Sequence, residues 1–188
     1  MGMALRSDSL MRLASSLLLL LACLPLAVDA TTLVKMDPPA LGRASDAVVR
    51  VRVEGVSARW SVDKRRILTD VRVRVLERIA GECGETLQVV QPGGVVGDVG
   101  QKVDGVPGFT QGEEAVLFLE RLGTVYGLVG LAQGKWTVER AKAEVLARPV
   151  PVGARVVELE TGREVGPSPA LPLESLVRQV RAAKGVAP

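Results

Sequence analysis

The chain has 188 residues and no histidine, carries two cysteines, and draws only 3 % of its residues from the aromatics. The missing imidazole excludes a Ser-His-Asp triad, a Cys-His nucleophile pair and any zinc site that uses histidine. The scarcity of aromatic rings removes the stacking platforms on which single-stranded nucleic acid is bound, so no nucleic-acid partner is expected. Cys23 falls in an apolar N-terminal run, which leaves Cys83 as the one thiol of the folded domain, and no internal disulfide is expected. Glu82 and Glu85 flank Cys83 and oppose thiolate formation, so it reads as a turn residue between Gly81 and Gly84. Charge of one sign is scarce too. The 24 basic and 21 acidic residues leave +3, interspersed along the chain, and this balance names no partner.

What the chain does have begins at its N-terminus. Arg6 and Arg12 precede an apolar run centred on Leu17 to Leu21, and the run ends at Val28-Asp29-Ala30. This order predicts a signal peptide over residues 1–30, cut after Ala30, and a secreted or periplasmic protein. Pro25 and Asp29 interrupt the run short of the roughly 20 apolar residues that a membrane span requires, so no span is expected after signal removal. The alternative is a lipoprotein anchored at Cys23, because Leu20-Leu21-Ala22-Cys23 resembles a lipobox. The apolar residues Leu24, Leu26 and Val28 that follow argue for the first reading.

The remaining chain reads as mainly β. Residues 31–45 form a leading arm in which Pro38-Pro39 is expected to prevent regular helix. From Ala47 the apolar positions alternate as Val49, Val51 and Val53; after Gly55 the phase slips by one to Val56, Ala58, Trp60 and Val62, as a β-bulge requires. Ile67 to Val75 repeats the alternation and breaks phase at Leu76-Glu77, and Leu87 to Gln91 forms a third strand ending at Pro92-Gly93-Gly94. Residues 95–114 read as one long loop. Strands follow at 115–119, 124–129 and 135–138, closing a β-barrel domain over 46–140. Residues 141–171 read as a weak hairpin around Pro149 to Gly153 and a Pro- and Gly-rich linker. In the last stretch, residues 172–184, Leu173, Leu176, Val177 and Val180 fall at helical spacing with Glu174 near the start and Arg181, Lys184 and Gly185 at the end. Long strands broken by bulges predict a small OB-like closed or partly open β-barrel with a C-terminal amphipathic helix; the alternative is an immunoglobulin-like β-sandwich.

Three stretches carry a resemblance. Trp60 with Ile67-Leu68-Thr69-Asp70-Val71, then Val90-Gln91-Pro92-Gly93-Gly94 with Val99-Gly100-Gln101, then Gly112-Glu113-Glu114-Ala115-Val116-Leu117-Phe118-Leu119 with Gly130-Leu131-Ala132-Gln133-Gly134-Lys135 resemble an uncharacterised family of secreted bacterial proteins, over about residues 44–138. The resemblance implies export and supplies no activity. In layout alone the chain is similar to the OB-fold domains of the netrin-like and tissue metalloproteinase inhibitor group. Those inhibitors chelate zinc through an N-terminal Cys-x-Cys segment, whereas the segment after Ala30 begins Thr31-Thr32-Leu33.

The Gly-rich loop 92–112 is the leading candidate site. Gln91, Gly93, Gly94, Gly97, Asp98, Gly100, Gln101 and Phe109 form its candidate contact set, because glycines let backbone approach a partner closely. The loop lacks Gly-Lys-Ser/Thr and is no P-loop. Asp98, Asp104, Glu113 and Glu114 match no calcium-loop spacing, so no metal and no cofactor is expected. Trp60 and Trp136 are candidates for stacking against carbohydrate, or for barrel packing. Arg50, Arg52, Arg72 and Arg74 share the polar face of the first two strands, where they either form an anionic-partner surface or alternate with Glu54, Asp70 and Glu77. These residues predict an exported, non-enzymatic binding or interaction module that contacts a secreted protease or envelope component through loop 92–112. The alternatives are a carboxylate-only hydrolase using a pair such as Asp98 and Glu113, and a structural envelope protein.

Overall fold

The computed structural model describes residues 31–141 and 144–186; the signal segment expected over 1–30 lies outside the described residues. A short strand β1 (Thr32–Val34) is followed by a helix, α1 (Pro38–Ala44). The expectation that Pro38-Pro39 forbids helix is therefore corrected. The two prolines occupy the first helical turn, where the backbone N–H needs no intrahelical acceptor, and Asp37 Oδ1 caps the turn by accepting from the Ala40 N–H at 2.7 Å.

Strands β2 (Ala47–Trp60) and β3 (Ile67–Ala80) pair as a long antiparallel hairpin. Its register slips between Val53 and Gly55, at the predicted bulge, and the β2 partners skip Leu76 and Ile79 on β3. β4 (Thr86–Pro92) pairs with β3, β7 (Glu114–Leu122) pairs with β2, and β8 (Val125–Leu128) pairs with β7. One parallel contact between β4 and β8, Val89 opposite Tyr126, closes the ring. The five ring strands thus follow the order first, second, third, fifth, fourth, a Greek-key barrel of OB-like form, with bulges giving the long strands the curvature closure requires. Joined through β4 and β8, these five strands make one ring rather than the two facing sheets of a sandwich.

Between β4 and β7 the chain forms a small hairpin, β5 (Gly94–Val96) and β6 (Val99–Gln101), where a structureless loop was expected. After β8 comes a short 3-10 turn (Leu131–Gly134) and β9 (Lys135–Ala141), which pairs with β7 and extends the sheet beyond the barrel. β10 (Glu144–Pro149) pairs with β9, so the weak hairpin expected around 149–153 does not form. Pro149 and Pro151 lack the N–H donors that such a hairpin needs, whereas β9 offers an open edge. β11 (Arg155–Val157) instead pairs in parallel with β1, and β12 (Leu171–Pro172) pairs with β10 and leads into helix α2 (Leu173–Lys184).

Two apolar clusters hold this arrangement. Val49, Val51, Val53, Val71, Val73, Val89, Leu117 and Leu119 fill the barrel. Val48, Val116, Phe118, Trp136 and Val138 on the opposite face pack against Leu41 of α1 and against Leu173, Leu176 and Val180 of α2. Strand β7 is covered on both faces, which is why Ala115 to Leu119 reads as an unbroken apolar run rather than an alternation. The amphipathic helix predicted here forms as α2 and packs on the second cluster, with Gly185 in the left-handed conformation at its end and Lys184 Nζ donating to the Ser45 carbonyl at 2.8 Å.

Candidate functional site

The Gly-rich segment is tied to the barrel along most of its length. As β4 ends, the Gly93 N–H donates to the Ile67 carbonyl at 2.8 Å, and Thr69 Oγ1 donates to the Gly93 carbonyl at 2.7 Å. Gly94 has φ +131, and a Cβ there would lie 2.6 Å from Thr69 Oγ1 and 3.0 Å from the Ala58 Cβ, so only glycine fits where β5 crosses the hairpin. At the end of β6, Gln101 Oε1 accepts from the Ile67 N–H at 2.7 Å. Gln91 Nε2 donates to the Pro107 carbonyl at 2.8 Å, and the Ala132 N–H donates to the Gly105 carbonyl at 2.8 Å.

The strongest anchor is a lysine that sequence reasoning did not single out. Lys135 is 2 % exposed, and its Nζ donates to the Gly108 carbonyl at 2.6 Å, pairs with Glu113 Oε1 at 2.5 Å and lies 4.2 Å from the centre of the Phe109 ring. Glu113 in turn accepts from the Thr110 N–H at 3.0 Å and from Thr137 Oγ1 at 3.3 Å. Burial pushes the Lys135 ammonium below its ordinary value, with the Glu113 hydrogen bond and charge acting in the opposite direction. Only the alternation that sets Lys135 and Thr137 on the face opposite Trp136 and Val138 hinted at this position; its partners lie more than twenty residues away in sequence.

The candidate contact set therefore divides. Gln91, Gly93, Gly94, Gln101 and Phe109 hold the segment in place, while Gly97, Asp98 and Gly100 lie at the exposed tip of the β5–β6 hairpin beside Val95 and Val99, which are 67 % and 50 % exposed. Across from the hairpin base, the distal half of β2 exposes Val56 and Trp60 by 42 % and 39 %, and Val62 is wholly exposed in the following turn. Val56 and Val62 were read as the apolar face of a strand and Val95 and Val99 as part of a loop, so none was picked out for contact; Val62 lies instead in the turn after β2. Trp136 is corrected as a stacking candidate. Its ring is buried between the sheet and the helices, and its Nε1 donates to the Gln133 carbonyl at 3.1 Å, so no face is presented to solvent.

The basic stripe is compensated. Arg72 and Arg74 both reach Glu54, Arg50 bridges Glu77 and Glu114, and Arg52 and Arg140 also approach Glu114, itself buried at the sheet surface. Asp98 is exposed on the hairpin tip, whereas Glu113 is engaged by Lys135. Cys83 is a free, half-buried thiol packed against the barrel cluster. Among the described residues no group of three or more Cys, Asp or Glu side chains is placed to hold a metal ion, and no helix is long and apolar enough to cross a membrane.

Ring order, bulges and helix place the chain among OB-like β-barrels with an anchored Gly-rich segment at one end. No family model matches the chain, and neither the curated proteins nor the solved structures contain a match to it.

Proposed function

We propose that the protein is an exported, non-enzymatic binding module, and that it engages a secreted protease or another envelope component with the barrel end formed by the β5–β6 hairpin and the distal β2–β3 hairpin. The export half of this reading rests on the N-terminal pattern of Arg6, Arg12, Leu17 to Leu21 and Ala30. One observation supports the binding half. A segment fixed by six side-chain and backbone bonds carries solvent-facing valines near its tip, on the same barrel end as a part-exposed tryptophan. Exposed apolar groups gathered on a rigid support are what a contact surface needs, because little order has to be imposed on binding.

The test compares the native chain with a Val95→Asp/Val99→Asp double variant in capture from the native exported fraction, followed by a protease-inhibition assay on whatever is captured. A stoichiometric partner retained by the native chain and lost by the variant supports the reading. Equal recovery by both chains removes it.

A further inference from the structure

The distal half of β2 is hydrogen-bonded on one side only. Strand β7 accompanies β2 as far as Arg52 opposite Glu114, after which Val53 exchanges bonds with the backbone at Gly112 and Glu113, both at 2.8 Å, and the flanking chain turns away. Beyond the bulge β2 continues to Trp60 with β3 as its only hydrogen-bonded strand among the described residues.

The direction of the free groups follows from the ladder. The Ser61 N–H donates across the hairpin to the Arg66 carbonyl at 2.7 Å, so Ser61 bonds inward, toward the strand it faces. Bonding direction alternates along an antiparallel strand, and Arg59 and Ser57 therefore bond inward too, while Trp60, Ala58 and Val56 direct their N–H and C=O outward. Ile67, opposite Trp60, agrees: its carbonyl bonds away from β2, to Gly93. Val53 also bonds outward, and the single extra residue at the bulge accounts for the step from 53 to 56.

We propose that this edge docks an extended peptide segment of a partner protein, which adds to β2 as a strand along Val56, Ala58 and Trp60. The inference rests on the binding-module reading and names the partner class. A row of outward N–H and C=O groups repeating every second residue is complementary to another peptide backbone in extended form. Side chains decide which one. Val56, Ala58 and Trp60 pair with the buried Val71, Thr69 and Ile67, and of the three Val56 and Trp60 stay exposed and offer an apolar seat on that face, while Arg59 on the other face is already held by Asp70. Lys64, Arg65 and Arg66 are all exposed in the turn past Trp60 against one nearby acid, Asp63, whose carboxylate is occupied by Ser61 and the Arg65 N–H. The incoming segment is therefore apolar at alternate positions and acidic at the end that meets this turn. A ladder of three residues is far too short for two rigid bodies, which bury about 1,200 Å² or more in a stable pair, and suits a flexible segment.

The test selects binders to the full chain from a display library of random twelve-residue linear peptides. Enriched peptides are expected to alternate apolar residues next to Asp or Glu, and to lose at least tenfold in affinity when alternate peptide amides are methylated. Ala58→Pro removes one outward N–H without breaking a bond to β3, and it is expected to cost the same tenfold with the thermal midpoint retained; Val56→Lys serves where Ala58→Pro does not fold. Undiminished binding to both variants overturns the proposal, as does a library that yields no binder. A concentration-dependent dimer dissolved by Ala58→Pro overturns it as well, by making a second copy the occupant. Loss of the captured partner in Val95→Asp/Val99→Asp but not in Ala58→Pro removes the edge and leaves the hairpin reading standing.

Discussion

In the proximal half of the β2–β3 hairpin, Val51 and Val53 sit opposite Val75 and Val73 and are fully buried; in the distal half, Val56, Ala58 and Trp60 sit opposite Val71, Thr69 and Ile67 with the same alternation, yet Val56 and Trp60 stay about two-fifths exposed. The difference is not in the strand. It lies in what accompanies β2: β7 pairs along its proximal half, while its distal half has β3 as its one paired strand and only the small β5–β6 hairpin against its apolar face. The same alternation is thus buried where the ring closes and left partly exposed where it does not.

That contrast is sharpest at the core. Phe118→Ala is expected to cost about 3–5 kcal/mol, read as a fall in the denaturant midpoint, because the ring is wholly buried between sheet and helices. A loss under 1 kcal/mol would break the distinction. Lys135→Met is expected to cost about 3 kcal/mol by leaving Glu113 without its buried counter-charge. Burial lowers the Lys135 pKa in the folded state, so the unfolded chain holds the proton at pH values where the folded chain has released it. Native stability therefore gains with rising pH between that lowered value and the ordinary lysine value near about 10.4, and the difference from Lys135→Met in pH-resolved unfolding carries that slope. Gly94→Ala, at the junction of the two regions, is expected to cost about 1–3 kcal/mol from positive φ and the Thr69 contact, with faster amide exchange at Ile67 as the local readout. Smallest are Val62→Ser and Val95→Ser, each expected to shift stability by about 0.5 kcal/mol or less while weakening partner capture; a denaturant midpoint that falls as far as in Phe118→Ala would make the distal region core after all.

Much of the barrel was legible because its determinants are local. The slip at Gly55, the break at Leu76 and the spacing of Leu173, Leu176 and Val180 are each read within one element. What escaped depends on neighbours. Helix α1 needs Asp37 to cap a turn that begins with two prolines; β5 and β6 are three residues each among glycines, too short to show a period. The pairing of β11 with β1 joins Arg155 to Thr32 across most of the chain. Within the site, the Gly-rich segment was recognised from composition, but its division into held and exposed residues was not, since Lys135, Gln101 and Gln91 act on backbone groups that no spacing rule connects to them.

The one-pair closure at Val89 and Tyr126 also sets an order on the growing chain. Strands β2, β3 and β4 form from sequence neighbours and are complete by Pro92, leaving a valine-rich three-stranded ribbon with both margins bare. Both margins wait for the same later piece: β7 covers one and β8, its hairpin partner, meets the other. The barrel is thus sealed by a single late hairpin whose two strands dock on opposite sides of a preformed ribbon, the topology of long-range contacts associated with folding in milliseconds to seconds rather than microseconds.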